Sequence, residues 1–203
     1  MAKTRRLILA SGSAARRSML TAAGLDFEVI LADVDEAAIK DAMLTDGARI
    51  EGSDIALNLA SAKAITVSQL YPQALVIGAD QVLCLGARTF SKAKTRADAR
   101  QVLDTLRGRT HELVSAVALA ENGQMLWQTF DLAKLAVREF SEEFLELYLQ
   151  RAGDCLTKSV GAYEFEGLGS QLFERVKGDY YTILGMPLLP LLAELRNRGM
   201  LIS

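Results

Sequence analysis

The sequence predicts an α/β protein with a mixed sheet and flanking helices, and three observations carry that expectation. Strand-like and helix-like segments alternate from the start of the chain. The fully apolar run Ala74-Leu75-Val76-Ile77-Gly78-Ala79 has the pattern of a buried central strand. Asn122-Gly123 separates two long strand-like stretches, which is the strongest short-range hairpin signal. No internal repeat or linker-like change of composition interrupts the 203 residues, so one domain is expected over residues 1–203, with two lobes sharing the sheet.

The elements follow in order. Residues 7–10 form an apolar run after the charged start Met1-Ala2-Lys3-Thr4-Arg5-Arg6; the run is too short for a signal peptide and suits a first strand. A helix is expected over 14–23, with Gly24 as its stop. Alternation around Phe27, Val29 and Leu31 predicts a second strand over 26–32, then an acidic turn at Asp33-Val34-Asp35-Glu36. Ser53 is placed to cap a long helix reaching Tyr71, with an apolar stripe of Ile55, Leu59, Ala62, Thr66 and Leu70. The central strand ends at Asp80-Gln81, and Val82 to Leu85 continue as strand up to a turn at Gly86. Thr95 caps a helix whose buried face is Ala99, Val102, Leu103 and Leu106. The hairpin strands cover 110–120 and 125–137, and Ser141 caps a helix to Ala152. A glycine-rich segment over 161–169, a polar turn at Lys177-Gly178-Asp179 and a leucine-rich helix opened by Pro187 complete the chain.

Composition narrows the function. Half of the residues are hydrophobic and 24% are charged, the balance of a globular protein, and 3 prolines argue against extended disorder. A formal charge of −2 disfavours nucleic-acid binding through bulk charge, so an anionic ligand must be met by local basic residues. No apolar run is long enough to span a bilayer. Two cysteines without a CxxC pair and a single histidine exclude a structural zinc site. A reduced, cytoplasmic protein without membrane or nucleic-acid partners is therefore expected. Trp127 and the scattered Phe and Tyr residues form no stacking platform for single strands.

Four groups of residues could carry chemistry. Ser11-Gly12-Ser13-Ala14-Ala15-Arg16-Arg17 spans a strand–loop–helix junction, where free N–H groups, the helix dipole and arginine suit a phosphate; a plain capped helix start is the alternative. Neither GxxxxGK[ST] nor a GxGxxG after the first strand is present. Asp80 follows a buried strand and is placed for metal binding or general-base work, or simply begins a turn. Glu36, with Asp33 and Asp35, is a solvated loop unless Glu36 approaches Asp80, in which case the two could share Mg²⁺. Lys63, beside the apolar stripe, and Lys92, in a loop, are surface lysines unless an anion site gathers them. His111 lies in a strand with no second histidine nearby and reads as structural.

Several of these pieces occur together in an order that resembles the Maf family of nucleoside triphosphate pyrophosphatases. The matching stretches are Leu9-Ala10-Ser11-Gly12-Ser13 with Arg16-Arg17, Asp33 to Glu36, Leu59-Ala60 with Lys63-Ala64, Ile77 to Gln81, and Leu106 to His111. Gly161-Ala162-Tyr163, Glu166-Gly167, Gly178-Asp179-Tyr180 and Leu184 to Leu188 extend the likeness over nearly the whole chain. The resemblance implies a fold like that of inosine triphosphate pyrophosphatases, with two lobes around a cleft, and hydrolysis of nucleoside triphosphates to monophosphate and pyrophosphate with a divalent cation, Mg²⁺ or Mn²⁺. It implies Asp80 as the catalytic acid group, Glu36 and Asp80 at the metal, and Ser11, Arg16, Lys63 and Lys92 at the phosphates. It also allows a homodimer, and a regulatory nucleotide-binding role in cell-division arrest. Three positions depart from the usual pattern: Ala14 stands in place of Pro, Ser91-Lys92-Ala93 in place of Gly-Lys-Pro, and Lys158-Ser159-Val160 in place of Asp-Lys-Ala.

Base choice is implied at Ala15, Gln81 and Glu166. Gln after the catalytic Asp, with Glu at the later position, is similar to the branch acting on 7-methyl-GTP, as is Leu172-Phe173-Glu174-Arg175. The branch acting on UTP and dTTP, the alternative, carries Thr and Gln there. A carboxylate can accept from guanine's N1–H and exocyclic amine, whereas uracil presents one N–H flanked by carbonyls. Ala15 stands in place of that branch's Trp, so a stacking provider is missing there.

Overall fold

The structure is a computed structural model and describes residues 5–44 and 50–202. The first four residues, part of the stretch weighed as a leader, lie outside the described residues. Strands β1 (Arg6–Leu9), β2 (Glu28–Val29), β3 (Ala74–Leu85), β4 (Arg88–Phe90), β5 (Thr110–Glu121), β6 (Gln124–Val137) and β7 (Phe173–Lys177) form one mixed sheet. Its order is β2-β1-β3-β5-β6-β7, with β4 paired to β3. The helices are α1 (Ala14–Ala22), α2 (Glu36–Leu44), α3 (Gly52–Leu70), α4 (Arg96–Leu106), α5 (Glu142–Arg151), α6 (Cys155–Lys158), α7 (Tyr180–Ile183) and α8 (Leu188–Asn197). No described helix is long and apolar enough to cross a membrane.

Local chemistry explains why most boundaries fall where the sequence places them. Ser13 caps α1, its hydroxyl accepting from the Arg16 N–H. Thr95 and Asp98 form a capping box at α4, and Ser141 caps α5. Asn122 and Gly123 both have positive φ, 50° and 73°, the geometry of the tight turn between β5 and β6.

Four expectations need correction. The second strand is only Glu28–Val29, exposed at the sheet edge beside β1, and Leu31 stays 68% exposed. Glu36 lies in the first turn of α2 rather than in a loop; Asp35 accepts from the Ala38 N–H there. α3 is capped at Glu51, whose N–H donates to Asp54, and not at Ser53. The buried face of α3 is also rotated from the expected stripe. Ile55, Ala56, Leu59, Ala60, Ala64 and Val67 are buried while Leu70 is 70% exposed. Small residues let the helix close on β3 at Gly78, where a Cβ would lie 2.1 Å from the Ala60 carbonyl oxygen.

One face of β3 and β5 is buried under α3, around Leu59, Ala64, Val82 and Ala118. On the other face, α1 and α8 cover the Leu9, Ile77 and Leu119 end. Helices α4 and α5, with the 160s loop, cover the Leu83, Leu113 and Leu135 end. The long strands join these two cores, and the cleft opens between them, lined by Met19 and Leu188 on one side and Phe90, Leu113 and Tyr163 on the other.

Candidate functional site

A gap in the sheet makes the floor of the cleft. β1 pairs with β3 only over residues 74–77, and β4 pairs with it only over 83–85. Between those spans β3 keeps β5 on one side, and Asp80 lies opposite Ala116. Asp80 therefore sits in the middle of a continuous strand, not at the strand mouth expected from the sequence. The strand alternates faces, so Asp80 looks toward α3 and Gln81 toward α7.

On the α3 side, the Lys63 Nζ donates to Asp80 Oδ1 at 2.6 Å and to Glu36 Oε1 at 2.7 Å. The Lys63 and Asp80 side chains are 13% and 11% exposed, whereas Glu36 is 47% exposed. Burial pushes the Glu36 pKa up, but the hydrogen bond and charge of Lys63, with Lys40 and Lys92, outweigh it and hold the carboxyl below its ordinary value. Burial lowers the Lys92 pKa, and the neighbouring Arg16 and Lys63 charges act in the same direction.

Arg16 is 9% exposed and ties the site together. Its Nε donates to the Gly185 carbonyl at 2.9 Å, and its Nη1 donates to Ser11 Oγ at 3.0 Å and to the Ala79 carbonyl at 2.9 Å. The last of these carbonyls lies in the sheet gap, where no strand partner uses it. The sequence marked Arg16 as a phosphate contact; the structure adds a task that sequence reasoning missed, that of joining the α1 entry, β3 and the α7–α8 corner. Burial pulls the guanidinium below its ordinary pKa, opposed by Asp80 and Glu36, and arginine stays charged all the same.

Gln81 is also engaged internally. Its Nε2 donates to Ser115 Oγ at 2.9 Å and to the Thr182 and Ile183 carbonyls at 3.1 Å. Ser115 Oγ donates to the Thr182 carbonyl, and Thr182 Oγ1 donates to Asp131. This Ser115–Thr182–Asp131 support had no local signal in the sequence, because its members come from β5, α7 and β6.

All nine residues singled out from the sequence, Ser11, Ala15, Arg16, Glu36, Lys63, Asp80, Gln81, Lys92 and Glu166, line one cleft of about 1710 Å³. Ala15 is half-buried on the first turn of α1, and Glu166 is exposed. The loop carrying Glu166 is held from behind. Tyr148 donates to the carbonyl of Ala162, which has a positive φ of 59°. Tyr163 meets Phe173 edge-on, and its hydroxyl lies 2.7 Å from His111 Nε2. His111 is fully buried, and its Nδ1 has no hydrogen-bond partner among the described residues. Desolvation lowers its pKa to about 4, in keeping with the structural role expected for it.

Among the described residues no cluster of three or more His, Cys, Asp or Glu is placed to hold a metal ion. Glu36 and Asp80 provide two hard oxygen ligands close enough to share one ammonium group. That donor set fits Mg²⁺ or Mn²⁺ held by one or two carboxylates with phosphate oxygens completing the shell.

The cleft thus has the charge pattern of a site for a metal-bound polyphosphate: three cations and two carboxylates around a gap in a sheet. The Maf-like protein family model matches residues 6–198, and the chain belongs to that family. It is 50% identical over 196 residues, 97% of this chain and 98% of the relative, to a nucleoside triphosphate pyrophosphatase of Maricaulis maris (strain MCS10). It is 47% identical over 194 residues, 96% of each chain, to a 7-methyl-GTP pyrophosphatase of Brucella abortus biovar 1 (strain 9-941). Among solved structures, a nucleoside-triphosphatase (dITP/XTP pyrophosphatase) from Mycobacterium abscessus matches with a TM-score of 0.38 and 14% identity, covering 96% of this chain and 95% of that one.

Proposed function

We propose that the chain is an enzyme that hydrolyses nucleoside triphosphates to monophosphate and pyrophosphate in this cleft. The observation that carries the reading is the Lys63 bridge between Asp80 and Glu36, with Arg16 and Lys92 close enough to perturb both carboxylates' surroundings. Relatives of about half identity over nearly full length, named for this activity, support it.

The division of labour follows from the geometry. Lys63, Lys92 and the Ser11 loop bind the triphosphate and neutralise the charge that builds on the departing pyrophosphate. Arg16 adds positive potential and holds the Ser11 loop against β3. Lys63 holds Asp80 Oδ1 in the structure without nucleotide, and the second oxygen of Asp80, Oδ2, is the one that orients a water for attack on the α-phosphorus. Glu36 and Asp80 would hold Mg²⁺ or Mn²⁺, which when bound supplies further charge neutralisation at the phosphates.

For the base, the reading is a guanine-type nucleotide, with 7-methyl-GTP preferred over UTP or dTTP. Glu166, exposed on the cleft wall, can accept two hydrogen bonds from a guanine edge. Gln81, whose amide N–H groups face protein acceptors, serves this choice by holding α7 in place. The Brucella relative's name points the same way. A purely regulatory nucleotide binder has no use for an intact Asp80–Lys63–Glu36 set.

The test is a panel of normal and modified triphosphates assayed for pyrophosphate with Mg²⁺ or Mn²⁺. Release from 7-methyl-GTP and GTP above UTP and dTTP, with the margin narrowed by Glu166→Gln, is expected. Faster release from UTP or dTTP would overturn the base assignment, and nucleotide binding without any release would leave the regulatory reading.

A further inference from the structure

We propose that Lys63 is the resident counter-ion of the Glu36–Asp80 pair and keeps free divalent cations out of the site, so that the metal enters only together with a triphosphate. This rests on the reading that Glu36 and Asp80 are the metal's ligands.

The ammonium occupies the position that a bridging cation would take. It lies 2.6 Å from Asp80 Oδ1 and 2.7 Å from Glu36 Oε1, with 13% of the side chain exposed. A metal ion approaching the same pair must compete for those oxygens or settle a few ångströms from a positive charge that, like Asp80, is largely shielded from water. Arg16 and Lys92 deepen the obstacle, because their charges also reach this cluster. Three cations against two carboxylates leave an excess positive charge before any metal arrives, so a divalent ion alone meets net repulsion.

A triphosphate reverses that balance. Its roughly four negative charges outweigh the excess and offer Lys63 a new set of oxygen partners. The lysine can reach them by side-chain rotation alone, which its flexible four-carbon stem allows. The α3 backbone cannot follow, because α3 is pressed against β3 at Ala60 and Gly78. Once the ammonium turns away, Asp80 Oδ1 and Glu36 Oε1 are free for the metal. The coupling is reciprocal: whatever affinity the nucleotide adds for the metal, the metal adds for the nucleotide.

The experiment measures Mn²⁺ binding by loss of the free-ion electron paramagnetic resonance signal, with no turnover involved. Wild type, Lys63→Met and Lys63→Gln are titrated with and without the non-hydrolysable α,β-methylene analogue of GTP, each against a protein-free titration that accounts for Mn²⁺ bound by the analogue itself, after thermal melts establish that each is folded. Without nucleotide, both variants should bind Mn²⁺ at least about tenfold more tightly than wild type, and the analogue should tighten wild type by a similar factor. Adding Glu36→Gln to either variant should abolish the gain. If wild type and both variants bind equally without nucleotide while the analogue still recruits Mn²⁺, the counter-ion role is wrong and the metal site stands. If no protein binds Mn²⁺ under any condition, the metal reading of Glu36 and Asp80 fails, and this proposal with it.

Discussion

Two dense clusters of mixed charge sit in this molecule and behave differently. One lines the cleft: Arg16, Lys63, Lys92, Glu36 and Asp80. The other runs between α4 and α5, where Arg100 pairs with Asp104, Glu142 and Glu146, Arg107 pairs with Asp104 and Glu142, and Arg96 reaches Glu146. Both mix basic and acidic side chains, and the helical cluster has more ion pairs. Its glutamates are open to water, however: Glu142 is 62% exposed and Glu146 54%. Such pairs contribute about 0–1 kcal/mol each, screened by salt and offset by side-chain entropy. In the cleft, Arg16 and the Lys63–Asp80 pair are largely desolvated and held on a strand and two helices whose positions are set by packing. Potential at a reacting centre comes from burial and fixed geometry, not from the number of charges.

The strongest way to break the comparison is Asp80→Asn. Removing the one carboxylate at the centre of the gap should lower kcat by about a hundredfold to ten-thousandfold while the thermal melt stays close to wild type. Near-normal turnover would take Asp80 out of the mechanism.

A buried group held neutral sharpens the contrast. His111 has its pKa lowered to about 4 against an ordinary 6.5. Between those values the unfolded chain takes up a proton that the folded one refuses. Stability should therefore be full above pH 6.5 and fall by about 3 kcal/mol as the pH drops to 4. Glu36, held below its ordinary value, loses its own contribution over lower pH as it protonates. Urea titrations across this range should show a flatter pH dependence for His111→Gln than for wild type; an identical slope would rule the histidine out as the cause.

Arg16→Lys keeps the charge but loses the fork that reaches Gly185, Ser11 and Ala79. We expect a loss of about 2 kcal/mol in folding stability together with a lower kcat/KM. A change in kcat/KM with stability untouched would show that phosphate contact is its whole role. The smallest effect is expected at the other cluster. Glu142→Gln should cost under about 1 kcal/mol in stability, less at high salt, with kcat and KM unchanged.

Local signals made much of the fold readable in advance. The caps at Thr95 and Ser141 and the Asn122-Gly123 turn depend on neighbours three residues away or fewer, so the sequence carries them directly. Three elements carry no comparable local signal. α2 reads as an acidic turn because its start is polar and its apolar face is weak. The α3 stripe is hard to place because alanines, small enough to bring the helix onto Gly78, help define the buried face, while Leu70 points to solvent. β7 pairs only with the far end of β6 and has little apolar alternation of its own.

The chemistry of the site was legible as a set of residue types, and all nine candidates line one cleft. What the residues do to one another was not legible. Lys63 could be seen as a lysine beside an apolar stripe, but not as the bridge between Glu36 and Asp80. Arg16 could be seen at a helix start, but its partner Gly185 lies 169 residues away. Gln81 could be placed after Asp80, but strand alternation turns it to the opposite face, onto the α7 carbonyls. The sequence by itself determined the order of the long elements, the caps at Thr95 and Ser141, the Asn122-Gly123 turn and the inventory of charges, because those depend on short-range spacing. Only the tertiary structure decided which oxygen each cation meets and which groups lose water, because desolvation and hydrogen-bond partners are properties of segments that meet in space.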